Sequence, residues 1–306
     1  MFNRRLFIAG AAASGLAAPA ILHAQNRWRS YPFALGVAAG DPAPDGFVIW
    51  TRLAPEPLAS DGGMAMFPMP VQWEVASDQR FETIVASGEA LARPELAHAV
   101  HVEVRGLQPD RPYFYRFTAG GERSFRGAAR TLPLASADAQ RLKFGVAGCQ
   151  RYDEGYYGAY RHLAAEQDLA FVYHYGDYIY EYQVSPVTPS FWTGGIVEPV
   201  RPSLGQSTYS LDDYRRRYAE AKSDGDLIRA HAAHAFVCSY DDHEVDNNWV
   251  SDQDADGVDA DIFALRRAAA FQVRTYACPP FAAAARRGSE NVSRPEIWPP
   301  CPYRYL

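Results

Sequence analysis

Phe236-Val-Cys-Ser-Tyr-Asp-Asp-His-Glu-Val-Asp-Asn-Asn-Trp249 is the stretch on which the fold turns. A short apolar run of strand character stops at Tyr240, and carboxylates, an imidazole and two amides follow at once. Apolar strands that run into polar loops at their carboxyl ends are how open α/β sheets build a binding crevice. Upstream, Leu169-Ala-Phe-Val-Tyr-His-Tyr-Gly-Asp-Tyr-Ile-Tyr-Glu181 and Leu142-Lys-Phe-Gly-Val-Ala-Gly-Cys149 repeat the pattern. Between them Tyr156–Glu166 reads as a helix. Cys149 and Asp177 are therefore one strand–helix–strand unit apart, and parallel strands bring both to the same sheet edge.

The residues at these strand ends carry chemistry. Asp177 and Tyr180 are three apart, so a helical turn after the strand would set both on one face. A carboxylate can bridge two cations, and a phenolate suits a ferric ion. Cys149 would bind as the thiolate, which a metal favours. Asp242 would serve a second cation, with Asn247 and Asn248 as candidate carbonyl ligands. His243 is placed to hydrogen-bond a phosphoryl oxygen or a leaving group. Two neighbouring cations clamp an ester and generate hydroxide at moderate pH. Singly, each piece has a plainer reading: a Gly-Asp turn, a buried thiol, a solvated acidic loop. Their common place at strand ends joins them into one expected metal-dependent hydrolytic site.

Before this region the text is all-β. Phe47–Thr51, Val71–Val75, His101–Arg105 and Tyr113–Phe117 alternate apolar and polar residues between Gly, Pro and Asp breaks. Leu107-Gln-Pro-Asp-Arg-Pro-Tyr113 resembles the tyrosine corner of immunoglobulin-like and fibronectin type III sandwiches. The expected fold is mixed: an immunoglobulin/fibronectin-III-like β-sandwich over 31–133, a linker over 134–141, and an α/β domain over 142–272. Within the latter, 183–209 reads as a long loop beside the sheet edge, Ser210 caps a helix through Glu220, and Asp224 caps another.

Bulk properties agree with a globular chain. Of 306 residues, 48% are hydrophobic and 22% charged, enough to bury two cores. A net charge of −6 makes nucleic acid an unexpected partner, and four cysteines are too few for a disulfide scaffold. Residues 1–24 read as a leader: Asn3-Arg4-Arg5-Leu6-Phe7 precedes an apolar, alanine-rich run ending near Ala24. The paired arginines resemble a twin-arginine export signal, whose machinery would be a partner, with a periplasmic or secreted destination. No later stretch is long and apolar enough for a membrane span.

Together with the leader, Gly36-Val-Ala-Ala-Gly-Asp-Pro42, Leu107–Phe117, Gly145-Val-Ala-Gly-Cys149, Gly176-Asp-Tyr-Ile-Tyr-Glu181 and Asp241-Asp-His-Glu-Val-Asp-Asn-Asn-Trp249 make the chain resemble the PhoD-type alkaline phosphatases, within the calcineurin-like metallophosphoesterases. The resemblance implies that the β-sandwich is followed by an incomplete α/β metallophosphoesterase domain over 142–272. It also implies a dinuclear or multinuclear site of ferric iron (Fe3+) and calcium (Ca2+). Cys149, Asp177 and Tyr180 fall on the iron side with Asp177 shared, and His243 takes the catalytic histidine's place. The substrate implied is a phosphate mono- or diester, a small molecule or a cell-envelope polymer. Two other classes stay open at this point: a relative of the purple acid phosphatases, and a non-catalytic exported binding protein built on the sandwich.

The family's site is completed by later histidines and an aspartate, yet no histidine follows His243. From about Val273 the text loses periodicity, with Ala282–Ala285 and two Cys-Pro pairs. The expectation is a truncated or frameshifted tail over 273–306 and a chain of reduced activity. Asp252-Gln-Asp-Ala-Asp-Gly257 starts like a calcium loop but has Phe263 where the bidentate glutamate belongs, and reads as solvated.

Overall fold

The computed structural model describes residues 28–184, the backbone of 188–189 and 196–197, and residues 198–255 and 257–273. The expected leader and nearly all of the expected tail lie outside these residues. Thirteen strands and four α-helices are found among them. The first eight strands are β1 (Val37–Ala43), β2 (Gly46–Arg52), β3 (Met69–Ala76), β4 (Ile84–Ala92), β5 (Ala99–Val104), β6 (Pro112–Ala119), β7 (Glu122–Arg123) and β8 (Gly127–Arg130). There follow β9 (Gly145–Ala147), α1 (Gly158–Ala165), β10 (Val172–His174), the short pair β11 (Thr188–Pro189) and β12 (Ile196–Val197), α2 (Leu211–Lys222), α3 (Gly225–Ala233), β13 (Ala235–Cys238) and α4 (Ala260–Gln272).

One six-stranded sheet, in the order β5-β2-β1-β13-β10-β9, forms the spine. Strand β1 pairs parallel with β13, as do β13 with β10 and β10 with β9, so four strands end at one edge. The β1–β13 pairing (Ala39 with Ala235, Gly40 with Phe236) carries the sheet across the 133/142 boundary at which the sequence reading divides the chain. It also brings Asp41 of the Gly36–Pro42 motif to the edge where the site lies, in a left-handed conformation (φ 46°).

A second sheet, β4-β3-β6-β7 with β8 on β6, faces the β5-β2-β1 half. Alternation along the strands makes this possible. Val37, Ala39, Phe47, Ile49, Val100 and Val104 point toward Val71, Val75, Tyr115 and Phe117 in one buried core. Tyr113 lies in it too, and its hydroxyl accepts the Gln108 N–H at 2.9 Å, the contact expected of a tyrosine corner.

On the spine's other face Ala38, Trp50, Val172, Phe236 and Cys238 pack on Tyr214, Tyr218, Leu227 and Ala230 of α2 and α3 in a second core. Helix α2 begins in a capping box. The Ser210 hydroxyl accepts the Asp213 N–H while the Asp213 carboxylate accepts the Ser210 N–H. Its arginines reach back to the β region, Arg215 to the Glu95 carbonyl (2.6 Å) and Arg216 to that of Leu58 (3.1 Å). The helix thus links the helix-side core to surface loops of the β region.

Candidate functional site

Three strand ends meet as the sequence predicts. Loop 148–151 follows β9, loop 175–182 follows β10, and loop 239–249 follows β13. The first two are stitched by backbone bonds, Cys149 N–H to Gly176 O (3.1 Å) and Gln150 N–H to Asp177 O (3.0 Å).

The chemistry gathers on Asp177, which is buried. Its Oδ2 accepts from the Cys149 thiol at 3.2 Å and from the Tyr180 hydroxyl at 3.0 Å. Its Oδ1 is buried without a hydrogen-bond partner. Asp177, Asp242 and His243 each offer a ligand atom, all within 4.8 Å of one another. Burial and the neighbouring Asp177 carboxylate push the Cys149 thiol up, and the same causes hold the Tyr180 phenol far above its usual range. Converging acidic protons and an orphaned carboxylate oxygen are what a cation-binding donor set presents when it holds protons instead.

The loop conformation differs from the helical turn expected between Asp177 and Tyr180. Gly176 (φ 126°) and Asp177 (φ 51°) form a left-handed bend, and no helix follows. Glu244 explains it. Its buried carboxylate accepts the N–H groups of Asp177 (3.0 Å) and Tyr178 (2.5 Å) and that of Asp241 (2.7 Å) in its own loop. These bonds fix the bend in place by tying it to the loop that carries Asp241 and Asp242. Burial raises the Glu244 carboxyl to about 8 against the three donors.

Glu181 makes the reciprocal reach. Fully buried, it contacts His243 Nδ1 at 2.8 Å with Oε2 and accepts the Asn247 N–H at 2.8 Å with Oε1. Each loop thus sends one glutamate into the other. Burial alone would lower the His243 pKa, but the bond and the charge of Glu181 outweigh it and raise it. The imidazole also lies against Tyr180 (4.2 Å between ring centroids) and Tyr182 (5.2 Å), and the Arg151 guanidinium sits over both tyrosines at 5.9 and 5.6 Å.

Of the residues singled out in the sequence, Cys149, Asp177, Tyr180, Asp242 and His243 come together. Asn247 and Asn248 adjoin them, but through backbone N–H groups: that of Asn247 goes to Glu181 and that of Asn248 to Asp242 Oδ2 at 2.6 Å. Sequence reasoning gave no role to Glu181, Tyr182, Glu244 or Arg151. The signal available was a pair of glutamates flanked by aromatic and apolar residues, which bury only when paired. His231 and His234 lie elsewhere, His231 against Phe236 and the Tyr178 hydroxyl, His234 capping α3 with Nε2 near the Leu163 carbonyl.

Parallel strands ending in a carboxylate, a thiol, a phenol and an imidazole define an α/β protein with a cation-fitted centre at the carboxyl edge of its sheet. Comparison with known proteins agrees. The model for the N-terminal domain of PhoD-like phosphatases matches residues 16–133, and that for PhoD-like phosphatase itself matches residues 144–290. The chain belongs to the PhoD-like phosphatase family. The second match runs past Val273, where the sequence reading places the loss of family-like pattern. Alkaline phosphatase D of Bacillus subtilis (strain 168) is 45% identical over 281 residues, 89% of this chain and 47% of its own length. A solved structure of PhoD superimposes with a TM-score of 0.76 at 46% identity, covering 82% of this chain and 47% of that one. The chain spans about half the length of the curated relative it matches.

Proposed function

We propose that this protein hydrolyses phosphate mono- or diesters outside the cytoplasm with a ferric-iron and calcium site. The observation that carries the reading is the convergence on Asp177: one carboxylate oxygen accepts from both the Cys149 thiol and the Tyr180 hydroxyl, the other is orphaned, and Asp242 and His243 lie within reach. Cys149, Tyr180 and Asp177 would hold a hard trivalent ion, and Asp177 and Asp242 would serve a divalent neighbour. When bound, such cations supply Lewis-acid stabilisation of phosphoryl charge and an acidified water.

The chain's own residues do the rest. Cys149 and Tyr180 would give up the protons they now donate to Asp177, whose carboxylate orients both donors. His243, with a raised pKa, delivers a proton to the leaving oxygen. Glu244 keeps Asp177 and Asp242 in register by binding both loops. Asn247 and Asn248 are assigned as amide ligands at the Asp242 side.

The remaining assignments follow from the sequence. The leader is read as a twin-arginine signal, giving a periplasmic or secreted enzyme. No helix among the described residues is long and apolar enough to cross a membrane. The β region is read as an immunoglobulin/fibronectin-III-like sandwich, supported by its tyrosine-corner contact and its facing sheets. A small phosphate ester or a cell-envelope polymer would be the substrate.

The test is hydrolysis of p-nitrophenyl phosphate and bis-p-nitrophenyl phosphate by chelated protein before and after addition of ferric iron and calcium. Activity is expected only after loading. Asp177→Asn is expected to lower it by more than about a hundredfold, the scale of losing a group that organises transition-state charge. Metal-loaded protein that cleaves neither ester, or an Asp177→Asn variant as active as wild type, overturns the reading.

A further inference from the structure

We infer that the cavity between the 201–209 loop and α2 is a binding site for inorganic hydrogen phosphate, separate from the centre on Asp177. The cavity measures about 330 Å³ and is lined by Leu204, Gln206, Thr208, Asp213, Arg216 and Arg217. Clefts that take small ligands begin at about that size. None of Cys149, Asp177, Tyr180, Asp242 and His243 lines it. Arg217 is buried, and its terminal nitrogens are spent on the protein: on the Tyr182 and Gln206 carbonyls (3.2 and 2.5 Å), the Ser203 hydroxyl (3.3 Å) and the Glu220 carboxylate (3.4 Å). Its Nε is buried with no hydrogen-bond partner among the described residues. A buried N–H without an acceptor is costly, and an oxyanion is the acceptor that suits a guanidinium best.

Arg216 adds a second guanidinium. Its Nε donates to the Leu58 carbonyl at 3.1 Å, and its terminal nitrogens have no hydrogen-bond partner among the described residues. Such a fork meets two phosphate oxygens side by side. Asp213 decides which oxyanion enters. Its Oδ2 accepts the Ser210 N–H at 2.9 Å and the Ser210 hydroxyl at 2.7 Å, while its Oδ1 has no donor among the described residues. Burial pushes the Asp213 carboxyl up, but the bonds from Ser210 and Tyr209 outweigh it and hold the group below the usual carboxylate range. An ionised carboxylate only accepts, so the ligand it tolerates is one that brings an O–H. Hydrogen phosphate brings one. Sulfate, of the same shape, carries no proton near neutral pH and would set bare anionic oxygens against Asp213. A phosphate monoester, whose last proton leaves near pH 6, meets the same repulsion at about pH 8.

The site stands apart from the proposed reaction, so its test needs no turnover. Equilibrium dialysis of the chelated full chain against labelled phosphate, at about pH 8 where monoesters have lost their last proton, is expected to show a saturable site. Chelation keeps metal at the Asp177 centre from holding phosphate. Unlabelled phosphate is expected to displace the label. Sulfate and methyl phosphate are each expected to compete at least about tenfold more weakly, the scale of one charge-assisted hydrogen bond. Arg216→Gln is expected to weaken phosphate binding by a similar factor. Asp213→Asn, whose amide can donate, is expected to admit sulfate as readily as phosphate. No saturable site, wild-type competition by sulfate or methyl phosphate equal to that of phosphate, or binding unchanged in Arg216→Gln overturns the inference. So does an Asp213→Asn variant that still excludes sulfate. The wild-type competition decides even where a variant fails to fold.

Discussion

Gly176 is where two of the site loops touch. Its φ of 126° is a conformation that side-chain-bearing residues rarely adopt, and a Cβ built on it would overlap the backbone nitrogen of Asp241. That nitrogen is one of the three donors to Glu244, so the clash falls on the brace between the Asp177 and Asp242 loops. Gly176→Ala is expected to destabilise the fold by at least about 2 kcal/mol, from strain and displaced backbone together. Urea unfolding measures it, and a midpoint unchanged from wild type would mean that the loops separate freely. The ligand-type residues were legible here because chemistry advertises itself at strand ends: Cys149, Asp177, Tyr180, Asp242 and His243 all belong to polar bursts after apolar runs. Glu181 and Glu244 were not, because their work is done by reaching into another loop, and one sequence does not say which loops are neighbours. The orientation of Asn247 and Asn248 escaped for a related reason. Their backbone N–H groups, which every residue type carries, make the contacts.

Elements read well where their signals are local. Ser210 opens α2 and Asp224 opens α3, each accepting N–H groups of the first turn, as the sequence predicts. Strands shortened: the run Leu142–Ala147 yields only Gly145–Ala147, since β9 is an edge strand whose ladder ends with its partner β10. The expected turn of helix after β10 is absent: Gly176 and Asp177 take left-handed backbone conformations, and Glu244 holds that bend through the N–H groups of Asp177 and Tyr178. The element with most at stake in its cap is α2, which enters the helix-side core through Tyr214 and Tyr218 and reaches the β region through Arg215 and Arg216. Ser210→Ala removes the acceptor for the Asp213 N–H and the hydroxyl that donates to Asp213 Oδ2 at 2.7 Å. A loss of about 1 kcal/mol in unfolding free energy is expected, with Ser210→Asp retaining most of it. Equal stability of Ser210→Ala and wild type in urea would show that α2 is held by its arginines and aromatic face alone.

At the scale of the molecule, the joining of the two regions was invisible in the text, because β1 and β13 pair across most of the chain and alternation cannot name a partner. The helix-side core beside that joint contains two buried imidazoles. His174 is fully buried, its Nε2 3.3 Å from Gln150 Oε1, and burial pushes its pKa down to about 3. His231 is buried against Phe236 and the Tyr178 hydroxyl, and burial holds it well below the usual histidine range. Both are neutral in the folded protein near neutral pH, whereas an unfolded chain protonates them as pH falls through about 6.5. The unfolded state then binds more protons than the folded one, so stability rises with pH through this window and drops as the solution is acidified. The contribution of each is fully present above about 6.5 and is lost toward the depressed folded value, which for His174 is about 3. Each proton contributes about 1.4 kcal/mol per pH unit in that window. Raised carboxyls such as Glu244 pull the other way, so the two imidazoles are separated from the background by substitution. His174→Gln and His231→Gln, measured in chelator by urea unfolding from neutral pH down to about pH 5, are each expected to flatten the acid-side slope by about one proton. A slope indifferent to both substitutions would mean that these histidines find protons inside the folded core, and that the core at the joint is wetter than its packing implies.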